Sequence, residues 1–300
     1  MTKYLAADVN ASVPAIRLIC LYLASAGPSS TGQIAEALAP KEVIGQDNAD
    51  GQRAEKFVAA ALNVAADLGF VSSPARPGGE YSISSTLAGS VRLESLLGNA
   101  HEFRPRVRSA IGSRALEQVR AGGSPSDVAL GLTWLLSLDP LDPLSWEDPL
   151  SLSVNKHMRQ HIVNGEQWNA FRRWATSVGL ANRLATSKRP VLQVTAVQCV
   201  SAFVAAMPQE LDAGVFLSSL LDENPLLGHP ELLQALPESA RPLAQPSVSP
   251  SIAQALMSLQ EAGQLELVRS EDATRAMTLV VAGETQATIR AVRATGRSTA

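Results

Sequence analysis

A mainly α chain of several units is what this sequence predicts, on three observations. Composition comes first: apolar residues make up 46% and aromatic residues 4% of the chain. Ala and Leu are plentiful, and they are strong helix formers, whereas strands draw on β-branched and aromatic side chains. Length comes second, because 300 residues exceed the usual single hydrophobic core. The third observation is pattern. Apolar residues recur at helical spacing, and in two places a helix runs into two short β-prone pieces across a turn. These observations divide the chain into residues 1–98 (helices closed by a hairpin), residues 99–225 (a helical middle) and residues 226–300 (a second helix with strands).

The first unit is read element by element. Residues 12–26, SVPAIRLICLYLASA, place Pro14 in a first turn and Ile16, Ile19 and Leu23 on one stripe. Gly27-Pro28 ends that helix. Ser29, Ser30 and Thr31 offer a cap for the short helix that stops before Pro40. After a polar insert comes a longer helix with Phe57, Ala61, Val64, Ala65 and Leu68 on one face, and Gly69 closes it. Phe70-Val71 and Tyr81-Ser82-Ile83 flank a Pro/Gly turn, which is a hairpin signature.

Three helices followed by a hairpin over residues 12–85 resemble the winged helix-turn-helix family. That resemblance implies a third helix able to enter the DNA major groove and a wing that touches the backbone. On it, Arg53, Lys56, Gln52 and Asn63 are candidates for base edges, and Arg76 for a wing–phosphate contact. Asp50, Glu55 and Asp67 offset the helix charge, so the helix brings little phosphate neutralisation. Protein binding and DNA binding are equally open for this module.

The middle is basic in two stretches. Arg104, Arg106 and Arg108 alternate, with Pro105 predicting an extended start, and they suit phosphate or carboxylate recognition. Pairing with acids of the 139–148 loop is the bland alternative. Between residues 156 and 193 stand seven basic residues, including Arg172, Arg173, Arg183, Lys188 and Arg189, against the single acid Glu166. From 194 to 267 the balance reverses, with eight acids against Arg241. The basic block could attract phosphate or an acidic partner, and could equally be an ordinary solvated face. Trp168, Phe171, Trp174 and Val178 fall at helical spacing, and such a stripe is expected to be core.

Near the end, Ser249 and Pro250 open a helix that stops at Gly263, and residues 264–281 read as strand, polar turn, strand. This resembles a second winged-helix half over residues 230–281. Its third helix has no basic residue, so partner proteins are the better expectation than DNA. The tail with Arg290, Arg293 and Arg297 is expected to fray.

No catalytic signature is legible. His157 and His161 stand at i, i+4, a spacing that can chelate a metal on a helix, but no carboxylate or cysteine lies in local reach. Cys20 and Cys199 form no CxxC pair. Walker A, dinucleotide-binding and GxSxG motifs are absent. The expectation is a non-enzyme with no cofactor and no metal. Without a signal segment or an apolar run of about 18 residues, no membrane contact is expected and the cytoplasm is the default.

The segments EQWNAFRRWATSVGLA and LDAGVFLSSLLDENPLLG, with the order of units, resemble the DpdG family. These are accessory proteins of bacterial gene clusters that insert 7-deazaguanine derivatives into DNA and restrict unmodified DNA. The resemblance implies a non-catalytic adaptor in an antiphage complex, with other protein subunits of that complex as partners and double-stranded DNA as a further one. A winged-helix transcriptional regulator acting as a homodimer, or a pure protein–protein scaffold, are the alternatives.

Overall fold

The computed structural model describes residues 3–5, 11–39, 48–88, 97–146, 152–185, 190–242, 248–269 and 276–295. The chain is mainly helical, with three small sheets among the described residues. Helices α1 (Val13–Ala26), α2 (Thr31–Leu38) and α3 (Asn48–Asp67) are followed by strands β1 (Val71–Ser72) and β2 (Ser82–Ile83) and the short α4 (Ser85–Ala88). Ser12 caps α1 through Ala15 N. Ser30 and Gln33 form a reciprocal capping box on α2, which satisfies amides that would otherwise lack partners. Residues 89–96, most of the expected connecting helix, lie outside the described residues.

The middle contains α5 (Ala100–Arg120), α6 (Asp127–Ser137), β3 (Leu144–Ser145), β4 (Leu152–Ser153), α7 (Val154–His157), α8 (Gly165–Ser177), β5 (Ala181–Ala185) and β6 (Pro190–Val194). The four strands run in the order β4-β3-β6-β5, with β5 at an edge. The extended start expected around Pro105 is corrected here: Pro105 lies inside α5. A proline in a helix interior costs about 3 kcal/mol. Burying Phe103, Val107 and Ile111 on the same helix returns about 1.5–3 kcal/mol each, so packing wins over the local preference. The aromatic stripe of α8 is core, with Trp168, Phe171, Trp174 and Val178 all buried.

The last part comprises α9 (Val197–Ala206), β7 (Glu210–Asp212), α10 (Ala213–Glu223), α11 (Pro230–Gln234), α12 (Pro250–Glu261), β8 (Leu265–Arg269), β9 (Met277–Val281) and β10 (Glu284–Ala294). Strand β7 pairs with β10, which pairs with β8 on its other side. Strand β7 thus joins the last described strand although it lies in the stretch read as the helical middle. Two further expectations are corrected. Strands β8 and β9 do not pair with each other; each pairs with β10, and the tight turn is Ala282-Gly283, both at positive φ, as a two-residue hairpin requires. The tail is ordered through Ala294, because Arg290 and Arg293 lie in β10 and Arg293 pairs with Glu210 and Glu266 on the flanking strands.

Both ends of the chain repeat one connectivity. The residue or strand after one helix, α1 or α9, pairs with or beside the last strand, and that last strand pairs with the strand after α3 or α12. At the N-terminal end Ser29 bridges Tyr81 beside β2, and β2 pairs with β1. At the C-terminal end the order is β7-β10-β8. Helices α3 and α12 each end on a left-handed glycine, Gly69 or Gly263, whose following amide turns back to the helix: Phe70 N to Ala65 O and Gln264 N to Leu259 O.

What joins the N-terminal helices to the middle is a buried polar knot around residues 4–5. The amides of Tyr4 and Leu5 donate to the two carboxylate oxygens of Asp127, at 2.9 and 3.1 Å, and Val128 N donates to the same side chain at 2.8 Å. Tyr4 Oη donates to Asp67 Oδ2 at 2.7 Å, and Arg114 grips Asp67 Oδ1 at 3.1 Å. The Tyr4 ring rests against Trp174, whose indole Nε1 donates to Ala11 O. Replacing Asp127 by Ala strips three buried amides of their acceptor, and we expect a loss of about 3 kcal/mol in urea unfolding. Burial pushes the Asp127 carboxyl up, against the lowering effect of the three amides. Its contribution is then full below the ordinary carboxylate range and falls as pH rises through the raised folded value. The wild type's advantage over Asp127→Asn, measured by urea unfolding at several pH values, should therefore widen on acidification through that window.

Candidate nucleic-acid interface

Helix α8 and edge strand β5 bring together three arginines. Asn164 caps α8 by accepting from Gln167 N, and the buried stripe fixes which side of the helix faces the core. Arg172 and Arg173 are thereby turned outward, Arg173 exposed and Arg172 half-buried. The Arg172 guanidinium lies over the Trp168 ring at 5.9 Å and donates to Asn169. Gly179, at φ +75°, turns the chain straight from α8 into β5, with Leu180 N closing on Ala175 O. Four residues after Gly179, Arg183 is exposed on β5. Burial lowers the Arg172 pKa, and the charges of Arg183 and Arg173 lower it further. Arg173 and Arg183 thus both bring positive charge to bear on Arg172, so an anion beside it is favoured.

The other sequence candidates are distributed differently. Lys188 and Arg189, in the β5–β6 connection, lie outside the described residues. Within α5, Arg104 is half-buried and Arg106 exposed. Because this stretch is helical, Arg104 and Arg108 share a side while Arg106 points away. Arg108 is corrected as a surface contact: it is 5% exposed and its Nη1 donates to Val178 O at 3.1 Å. It serves as a buried cation at the C-terminal end of α8, where carbonyls lack helical partners. Arg114 and Arg120 pair with Asp67 and Glu231. On the N-terminal unit Lys56 and Asn63 are exposed on α3, and Arg76 is exposed in the turn between β1 and β2. The side chains of Gln52 and Arg53 are outside the described set.

The third helix of the C-terminal unit does not face solvent. Ser251, Ile252, Ala253, Ala255, Leu256 and Leu259 of α12 are buried, and Ser251 Oγ donates to Leu136 O of α6 at 2.6 Å. The hydroxyl of Ser249, expected to cap this helix, turns instead to Leu227 O. Ala282 N at the β9–β10 turn donates to Asp139 Oδ2. Helix and turn are both engaged with the middle of the same chain.

The histidine pair is separated by the end of α7 at His157. His157 stacks on Trp134, and its Nδ1 bonds Ser239 O at 2.7 Å. No group of three metal-ligating side chains occurs among the described residues. Burial pushes the Cys20 thiol up to about 12 and the Cys199 thiol up to about 11, which leaves neither a thiolate at neutral pH. No helix among the described residues is long and apolar enough to cross a membrane.

Arg183 is the residue that reading by sequence left out of the candidate site. Its signal was present in the basic block, but only the turn at Gly179 carries it beside Arg172. The burial of Arg108 separates it from this face. Arg108→Lys should lower stability by about 1–3 kcal/mol, because a lysine does not reproduce the guanidinium geometry at Val178 O. The same variant should leave DNA affinity within about twofold by fluorescence anisotropy, since a buried cation neutralises no phosphate.

No curated protein and no solved structure matches the chain. A family model does, over residues 4–273, a span that includes the polar knot, the basic face and α12. On that match the chain belongs to the DpdG-like family.

Proposed function

We propose that this protein is a non-catalytic, nucleic-acid-associated adaptor of a bacterial DNA modification and restriction complex. The single observation that carries this reading is that Arg173 on α8 and Arg183 on β5, a strand packed against that helix, both bring positive charge to Arg172. Membership of the DpdG-like family supports a place beside the machinery that inserts 7-deazaguanine derivatives into DNA and restricts unmodified DNA. The matched connectivity of the two ends, with a bridge at Ser29 in one and strand β7 in the other joined at the last strand, supports winged-helix assignments for both. The C-terminal winged helix acts as an internal clamp, because its third helix and wing are occupied within the chain. The N-terminal one remains available for protein subunits of the complex. The complex acts in the cytoplasm, and the adaptor needs no cofactor.

A second reading has its own observation. Lys56 and Asn63 on α3 and Arg76 on the wing are all exposed, as a sequence-specific winged-helix regulator binding as a homodimer would require. A footprint on a palindromic operator, lost on replacing Arg53 and Lys56 by Ala, would favour it over the adaptor.

The adaptor reading is tested by reversing charge at Arg173 and Arg183, both exposed and outside the core. Arg173→Glu with Arg183→Glu should weaken DNA binding about tenfold near 0.1 M salt and flatten the salt dependence. The melting temperature should stay close to that of the wild type, as for other surface substitutions. Unchanged DNA binding by the double variant would remove the basic face from the function, and would leave a scaffold that never touches nucleic acid.

A further inference from the structure

We infer that the basic face, on the reading that it contacts DNA, recognises the phosphate backbone of a duplex and does not stack on bases. Proteins that hold single strands combine a positive groove with aromatic rings on which successive bases lie. Helix α8 carries three aromatic residues directly under the arginines, so such a platform is within its sequence. The structure spends every one of them elsewhere. Trp168 is 4% exposed, with Phe171 stacked against it at 5.8 Å and the Arg172 guanidinium over its ring. Phe171 is wholly buried; the Cβ that an alanine would add at Gly131 falls 2.6 Å from its ring. Trp174 is turned inward to Tyr4 and bonds Ala11 O. Strands β5 and β6 contain no aromatic residue. Among the described residues of α8, β5 and β6, no ring face is therefore offered beside Arg172, Arg173 and Arg183.

What remains at the surface is charge in a fixed arrangement. Arg172 is held over Trp168 and by Asn169, and Arg173 and Arg183 stand on regular elements. A duplex presents about one charge per 1.7 Å of axis, against one per 3.4 Å for each strand alone, and releases more counterions per contact. A rigid group of cations without a stacking surface gains more from the denser array. Guanidinium groups directed at phosphates carry no base information, so affinity should be indifferent to base composition.

The test uses the full chain and a labelled duplex of thirty base pairs, its two separate strands, and A·T-rich and G·C-rich versions, read by fluorescence anisotropy across a salt series. We expect the duplex to bind about fivefold or more tighter than either strand. We expect log affinity to fall against log salt with a slope between about −1.8 and −2.7, for about two to three phosphates neutralised by Arg172, Arg173 and Arg183. A·T-rich and G·C-rich duplexes should agree within about twofold. Tighter binding of single strands that is still lost in Arg173→Glu/Arg183→Glu would overturn this inference while leaving the DNA-contact reading intact. A strong dependence on base composition would overturn it too. If neither form binds, or the double variant binds like the wild type, the DNA-contact reading itself falls and the inference with it.

Discussion

The structure depends on one constraint: the carboxylate of Asp127 is buried where its donors are the amides of Tyr4, Leu5 and Val128. A carboxylate without partners in such a place costs several kcal/mol, and three amide donors are what make it tolerable. Satisfying them threads the N-terminal residues between helices that lie more than a hundred positions apart in sequence. Once Tyr4 is there, its hydroxyl reaches Asp67 at the end of α3 and its ring meets Trp174 of α8. The Arg114–Asp67 pair closes the same site, with Arg114 partly exposed. An exposed ion pair is worth about 1 kcal/mol or less, so the buried amide–carboxylate bonds dominate. First unit, long helix and basic helix are thus fixed to one another by a few polar atoms set in an apolar core.

A second consequence follows for the two ends of the chain. They share connectivity, yet their third helices meet different fates. Helix α3 leaves Lys56 and Asn63 in solvent, whereas α12 buries Ile252, Ala253, Ala255, Leu256 and Leu259 against α9, β8 and β9 and also meets α6. An amphipathic helix buries its apolar stripe and leaves its polar side, here Gln260 and Glu261, in water. The bond from Ser251 Oγ to Leu136 O ties that helix to the middle of the chain.

Rigidity matters for that face. Three like charges side by side repel, and the Arg172 guanidinium is also partly desolvated. Such an arrangement persists because the stripe beneath it is buried, and Trp168 both fills the core and supports Arg172. Glu210, Glu231 and Glu266 of the later part of the chain are committed to Arg293 and Arg120.

Much of this was legible in the residues themselves. Helical periodicity, the Ser30 cap, the left-handed glycines and the aromatic stripe are local or near-local signals, and each was read correctly because short-range sterics and hydrogen bonds decide them. Local signals also misled where packing outweighed them. Pro105 sits within α5 because the buried side chains on either side of it are worth more than one lost bond. Strands β8 and β9 look like a hairpin in sequence, but the long β10 takes both as partners. Sequence by itself determined the helical character, the core stripe and the presence of a basic block. Which arginines are surface and which are structural was settled only by tertiary structure: Arg108 is drawn inside by the end of α8, and Arg183 is carried to Arg172 by the turn at Gly179. The physical reason is that charge is visible in a sequence, whereas burial and juxtaposition depend on contacts between residues far apart along it.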